Sequence, residues 1–163
     1  MHESESTARP LRKRPVHKPV VTSGNHAVIV FVTVCTRKRV PILATPAMHV
    51  SIVNAWAAAS HWLVGRYTIL PDHIHLFCAP AVYPAESLTP WVKYWKGLVS
   101  KETGAGPHSL WEKDFWDVQL RSGESYTAKW EYVRNNPVRH GLVVRAEDWP
   151  YQGELNALRW HDA

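Results

Sequence analysis

Two histidines lie one residue apart in an otherwise apolar stretch, PDHIHLFCAP, at residues 71–80. Residues i and i+2 of a β-strand point to the same side, so His73 and His75 would project together while Ile74 and Leu76 pack on the opposite side. A pair of imidazoles at this spacing can hold one divalent cation. Two such histidines often simply face solvent, so the pair alone does not establish a metal site.

A second set of candidates lies in KWEYVRNNP, residues 129–137. Tyr132 and Asn136 are four residues apart on a predicted helix and would share a face. An asparagine oxygen is a hard ligand that suits Mg²⁺ or Mn²⁺, and a phenol is a potential nucleophile. With the histidine pair, these residues suit attack on a metal-bound phosphodiester. The alternative is that Tyr132 is a core aromatic, although Trp130 and Val133 could fill that core instead.

Three neighbouring residues have more than one interpretation. Tyr126 precedes Tyr132 by six residues and would lie about 120° away around the helix. Tyr94 lies among lysines that better indicate phosphate contacts than a nucleophile. Asp72 either forms the turn before the histidines, which we favour, or orients one of them from the second shell of a metal site.

The rest of the sequence predicts the elements that position these candidates. The order is β-α-β-β-α-β-α, and its first six elements match the ferredoxin-like α+β plan. In this plan the helices cover one face of the sheet and the other face can hold a site, to which a C-terminal helix would bring the tyrosine. The predicted strands are residues 26–36, 62–70, 73–79 and 115–121, and the predicted helices are residues 45–60, 87–101 and 123–136.

Length and composition indicate one globular domain. The chain has 163 residues and is 45% hydrophobic, which is enough for a core. We expect a flexible basic N-terminal arm at residues 1–24 and a single catalytic domain with a short tail at residues 25–163. No run of eighteen apolar residues or secretory signal is present, so we expect no membrane partner. The two cysteines lie in apolar runs and are typical of a reduced, cytoplasmic protein.

The charge pattern favours nucleic acid. The formal net charge is +5 and the pI is about 9.4, with nine tryptophans. Cations and aromatic faces suit a phosphate backbone and unstacked bases, although most of the tryptophans are expected in the core. The candidate phosphate contacts are Arg12, Lys13 and Arg14 in the arm and Lys93, Lys96 and Lys101 in the second helix. A solvated lysine face and a solubilising arm are the alternatives.

Several motifs, in order, carry a resemblance to a known family. PDHIHL resembles the His-hydrophobe-His (HUH) motif of single-strand transposases that use one tyrosine. EYVRNNPVRHGLV and the following EDWPYQGEL are similar to the C-terminal signature of the REP-associated tyrosine transposases, and WVKYWKGLVSK and LWEKDFWDVQLR fit in order and spacing. The resemblance covers roughly residues 25–155.

The resemblance implies a mechanism and a partner. His73 and His75 match the family's metal ligands, Asn136 its third ligand and Tyr132 its nucleophile. The tyrosine would form a 5′-phosphotyrosine link and release a 3′-hydroxyl, so that strands are cut and rejoined at hairpin DNA. Independently of the resemblance, Arg139 and His140 follow the Asn-Pro pair and could contact phosphate near the site. The implied protein works with Mg²⁺ or Mn²⁺ on single-stranded or hairpin DNA, as a monomer or homodimer, in the bacterial cytoplasm near the nucleoid.

Two other functions remain open at this point. The chain could be a hairpin-binding protein whose catalysis is weak or lost. It could also be a metal hydrolase that activates water at the histidine pair, for which Asp72 is the available carboxylate.

Overall fold

The computed structural model describes residue 17 and residues 28–106, 108–121 and 126–159. Most of the predicted basic arm lies outside these residues, including Arg12, Lys13 and Arg14. His17 is described, and its ring stacks on Phe115 with the ring centroids 4.1 Å apart.

In the described part of the chain, five strands form one antiparallel sheet in the order β4-β1-β3-β2-β5. The two central strands pair along their whole length, from Val30 opposite Cys78 to Cys35 opposite His73. Strand β3 is therefore hydrogen-bonded on both sides, which fixes the direction of each of its side chains. The strands are β1 (Val30–Cys35), β2 (Trp62–Ile69), β3 (His73–Pro80), β4 (Trp116–Gln119) and β5 (Gln152–Glu154).

Two helices, α1 (Pro46–Ala58) and α2 (Leu88–Glu102), cover one face of this sheet. Helix α1 begins at the predicted Thr-Pro signal, where the Thr45 side chain accepts a hydrogen bond from the Met48 backbone N–H at 3.2 Å. Tryptophans fill the layer between helices and sheet, as the edge-to-face contact of Trp56 with Trp95 shows. The buried tryptophans among the described residues are Trp56, Trp62, Trp91, Trp95, Trp111 and Trp149.

The opposite face of the sheet is covered in part by α3 (Tyr126–Arg134). The rings of Phe77 and Tyr126 pack with centroids 4.9 Å apart, and Val133 belongs to the same cluster. A short helix, α4 (Asn136–Arg139), follows and extends the chain past the end of α3. The segment with the candidate tyrosine thus lies on the same side of the sheet as Phe77.

The predicted element order is confirmed, with three differences. Strand β5 was not predicted, and it pairs with the edge of β2. Helix α3 ends at Arg134, before the predicted residue 136. Pro137 does not end a helix but lies in the first turn of α4, where its missing N–H leaves no hydrogen bond unmade. No helix of the described residues is long and apolar enough to cross a membrane.

Candidate active site

The two histidines of β3 lie side by side on the sheet face that carries α3. Their ring centroids are 4.8 Å apart, and the rings meet edge to face. Ile74, Leu76 and Cys78 are fully buried in the core under α1 and α2. The alternation expected for a strand therefore separates the core residues of β3 from its candidate ligands.

Each histidine is oriented by a hydrogen bond at Nδ1. His73 Nδ1 lies 2.7 Å from Asp72 Oδ1, and because an ionised carboxylate only accepts, the ring N–H donates. His75 Nδ1 lies 2.9 Å from Thr33 Oγ1 on the neighbouring strand β1. Metal-binding histidines commonly engage their second nitrogen in this way, which leaves Nε2 as the ligand atom.

Burial keeps both imidazoles neutral at pH 7. Desolvation, reinforced by the charges of His73 and nearby arginines, lowers the pKa of His75 to about 3. Burial also lowers the pKa of His73, although the hydrogen bond and charge of Asp72 oppose the shift. Neutral imidazole is the form that binds metal, so the pair is ready to accept a cation without first losing protons.

Asp72 is itself held by a basic turn after β1. Arg39 Nε donates to Asp72 Oδ2 at 3.1 Å, and Arg39 Nη1 donates to Cys35 Sγ at 2.7 Å. Burial opposes the charge of Asp72, but His73 and Arg39 outweigh it and lower the pKa of the carboxyl. Arg39 and Lys38 both have positive φ angles, of 56° and 54°, so the turn is held in the left-handed region that side chains rarely adopt.

Tyr132 lies near the C-terminal end of α3 with 65% of its surface exposed. Asn136 begins α4 and is half-buried. The competing Tyr126 is buried, and its hydroxyl accepts a hydrogen bond from the Arg66 backbone N–H at 3.1 Å. Burial also raises the pKa of Tyr126, so its phenol is unsuited to attack DNA and Tyr132 is the accessible one of these two tyrosines.

Arg139 connects the candidate nucleophile with the candidate third ligand. Its guanidinium carbon lies 4.1 Å from the centre of the Tyr132 ring, a cation–π contact. Its Nη2 donates to the Tyr132 carbonyl at 2.8 Å and also to Asn136 Oδ1. One guanidinium thus holds both residues in a fixed relation.

The end of α4 lies against the histidine pair. The ring of His140, which follows α4, is 6.2 Å from that of His73. The charges of Arg139 and His140 also contribute to the low pKa of His75. Among the described residues, no group of three or more His, Cys, Asp or Glu side chains could hold a metal ion. Asn136, the predicted third ligand, offers an amide oxygen, a donor outside these four residue types.

Comparison with known proteins supports the motif-based resemblance. The chain is 28% identical over 90 residues to the REP-associated tyrosine transposase of Escherichia coli (strain K12), covering 54% of this chain and 52% of the relative. A second relative, from Haemophilus influenzae and named for the same family, is 28% identical over 94 residues, covering 51% and 53%. The resemblance to the REP-associated tyrosine transposases is confirmed. The chain spans about half the length of the curated relatives it matches.

The fold is also that of a REP-associated tyrosine transposase. A solved structure of such a transposase bound to a REP hairpin superposes with a TM-score of 0.72 at 20% identity, covering 86% of this chain and 82% of that chain. No protein-family model matches the chain. The α+β architecture with an antiparallel sheet is therefore shared with a REP-associated transposase, whereas the site residues rest on the geometry above.

The three lysines of the second helix that are predicted to contact phosphate, Lys93, Lys96 and Lys101, are not gathered at this site. All three lie on α2, which packs on the sheet face opposite the histidines. Lys96 Nζ donates to the Glu112 carbonyl at 2.8 Å, and burial lowers the pKa of its ammonium group. Lys93 and Lys101 are exposed. A role for these lysines in binding DNA stays a prediction.

The sequence did not reveal two residues at this site, Thr33, which hydrogen-bonds His75, and Arg39, which holds Asp72. Thr33 is an unremarkable β-strand residue, and only the pairing of β1 with β3 brings it opposite His75. Arg39 belongs to a visible basic cluster, but its ion pair with Asp72 depends on the turn. Asp72 itself both closes the turn and orients His73, so its two interpretations are compatible.

Proposed function

We propose that the chain is a metal-dependent transposase or endonuclease that cuts and rejoins single-stranded DNA at hairpin sites through a 5′-phosphotyrosine on Tyr132. The family of the relatives and the fold support the proposal. The observation that carries it is the placement of the segment after Tyr132. This segment runs through Asn136 to His140, whose ring lies against that of His73.

His73, His75 and Asn136 are the residues that would hold a divalent cation. Two neutral imidazoles engaged at Nδ1 and one amide oxygen form the donor set, and the oxygen favours Mg²⁺ or Mn²⁺ over a soft metal. Asn136 Oδ1 accepts from Arg139 in this structure, and the second lone pair of this oxygen would remain for a metal. When bound, the cation polarises the scissile phosphate and offsets the charge that develops there.

Tyr132 supplies the nucleophile. Its Oη forms a bond to phosphorus, the bond from phosphorus to O3′ breaks, the phenol proton is lost and the departing oxygen ends as a 3′-hydroxyl. Attack by this hydroxyl, or by one from another strand, reverses the step and rejoins DNA without ATP. The exposure of Tyr132 leaves it open to a strand, and Arg139 above its ring places a positive charge beside the phosphate.

Hairpin DNA is the proposed partner. The net charge of +5 suits a phosphate backbone. At the candidate nucleophile, the guanidinium of Arg139 contacts the Tyr132 ring and supplies a positive charge. The exposed Lys93 and Lys101 and the basic arm would add contacts outside the site. A protein with this substrate would work in the cytoplasm, at the bacterial nucleoid.

A covalent-adduct assay tests the proposal. The protein is incubated with a labelled hairpin oligonucleotide that has single-stranded flanks, in Mn²⁺ or Mg²⁺, and separated on a denaturing gel. We expect a shifted band that is lost on addition of EDTA, with Tyr132→Phe and with His73→Ala. Tyr94→Phe is the matched control, because Tyr94 is also exposed but lies on α2, and it should keep the band.

Other outcomes select the alternatives. Cleavage that persists in Tyr132→Phe and still needs metal would indicate a water nucleophile and a hydrolase. Tight, salt-dependent binding of the hairpin with no adduct in either metal would indicate a binding protein without catalysis. Both results contradict the proposed reaction.

A further inference from the structure

Trp116 is out of keeping with the other tryptophans of the described chain. Six are buried and Trp130, on α3, is half-buried against the Phe77 cluster, whereas Trp116 is 40% exposed. It lies on β4, an edge strand. Its side chain and that of Val118 are on the exposed face of this strand. An exposed indole on a sheet face is a large apolar surface for water to cover.

The strand register places Trp116 in one row with a candidate metal ligand. His75 on β3 pairs with Thr33 on β1, and Thr33 pairs with Trp116 on β4. Directly paired residues of adjacent strands point to the same face, so all three side chains rise from the sheet face of the candidate site. Two strand spacings separate Trp116 from His75, which is about 10 Å.

Helix α3 packs on the neighbouring row of side chains. Phe77 on β3 packs beneath Tyr126 and Trp130, while Phe31 beside it is only partly buried. Lys129 lies over Phe31, with its ammonium nitrogen 5.2 Å from the ring centre. Phe31, Val118 and Trp116 therefore form an apolar strip that starts beside His75 and reaches the sheet edge. The ammonium group of Lys129 lies at its rim.

We propose that Trp116 stacks on an unpaired nucleobase of the DNA strand that continues from the scissile phosphate. This inference rests on the proposed function and adds a binding site to it. An indole face accepts any base, and a lysine beside the strip suits the phosphate of the same strand. The row joins the stacking position to the candidate metal site. A DNA strand held at Trp116 is therefore aligned across the sheet toward His75.

The test measures affinity for two oligonucleotides. One is a hairpin with a single-stranded flank that carries 2-aminopurine at each flank position in turn, and the other is the same hairpin without a flank. Wild-type protein should quench 2-aminopurine at one or two positions. Trp116→Ala should abolish this quenching and weaken binding of the flanked hairpin about 5- to 150-fold, with no change for the blunt hairpin.

Two further variants keep the test specific. Trp116→Phe retains a ring and should recover most of the affinity, and Tyr94→Ala removes an aromatic of comparable exposure from the far layer and should have no effect. Circular dichroism and the blunt-hairpin affinity report whether Trp116→Ala is folded. Each sample is also tested for the covalent adduct, which reports the proposed reaction separately.

Several outcomes would overturn the inference. Equal affinity of wild type and Trp116→Ala for the flanked hairpin, with the adduct still formed, would refute stacking and leave the proposed function intact. Tighter binding by Trp116→Ala would mean that a segment of the chain occupies the strip. A change of molar mass in light scattering would mean that a second copy covers it. Loss of blunt-hairpin affinity would give Trp116 a general role in place of a base-stacking one.

Discussion

Acid should destabilise this protein through His75. The folded pKa of about 3 lies well below the ordinary value of 6.5. Below pH 6.5 the unfolded chain therefore binds a proton that the folded chain refuses until about pH 3, so the free energy of unfolding falls as the pH falls through this window. Each pH unit is worth about 1.4 kcal/mol per proton, so the loss is about 2 kcal/mol at pH 5.

Urea unfolding at pH 7.5 and pH 5.0, with EDTA present and tryptophan fluorescence as the signal, measures this loss. His75→Asn is the comparison, because asparagine can keep a hydrogen bond to Thr33 but does not titrate. Wild type should lose about 2 kcal/mol more than the variant between the two pH values. Carboxylates such as Asp72 titrate in both proteins and cancel in the difference. Since the two rings interact, the variant with both His73→Asn and His75→Asn should depend least on pH.

Equal pH dependence in wild type and His75→Asn would refute this reasoning. It would mean that the imidazole takes up its proton as readily in the folded protein as in the unfolded chain. His75 would then face water, and burial would not hold the histidine pair neutral.

Four other substitutions have expected outcomes. Asp72→Asn should weaken Mn²⁺ binding about 10- to 100-fold in calorimetry, because its histidine loses a charged acceptor, while an unchanged affinity would limit Asp72 to the turn. Gly65→Ala should lower stability by about 1–3 kcal/mol in thermal melts, since its Cβ would lie 2.8 Å from the buried Tyr126 hydroxyl. Gly97→Ala on α2 meets no atom within 4 Å and should raise stability by about 0.5–1 kcal/mol. Arg139→Lys should reduce adduct formation at least tenfold while hairpin binding persists, because an ammonium group cannot contact both Tyr132 and Asn136 as the guanidinium does. A normal yield of adduct would exclude this bridging role.

Periodicity was sufficient to predict the side of the sheet on which each residue of β3 lies. His73 and His75 alternate with Ile74 and Leu76, and strand geometry leaves one arrangement once the apolar residues are assigned to the core. Helix α1 was predictable for a similarly local reason, because the Thr45 cap and Pro46 are start signals that act over a few residues.

The features that the sequence did not reveal depend on distant parts of the chain. Strand β5 is Gln-Gly-Glu, which has no strand preference of its own, and it is extended because it pairs with β2. The contact of Thr33 with His75 joins residues 42 apart and depends on strand register. The end of α3 was predicted two residues too late because a proline that ends one helix and a proline that begins the next look alike in sequence.

Strand β3 carries the candidate ligands on one side and the centre of the core on the other. Insertion or deletion of one residue within it would exchange the two sides, moving the imidazoles into the core and isoleucine and leucine to the candidate site. A change of length in this strand would therefore disrupt both the packing of the core and the placement of the candidate ligands. Descendants of this chain can vary in length in the loops, such as residues 81–87 between β3 and α2, where neither constraint applies. The register of these eight residues therefore serves the core and the candidate site at once.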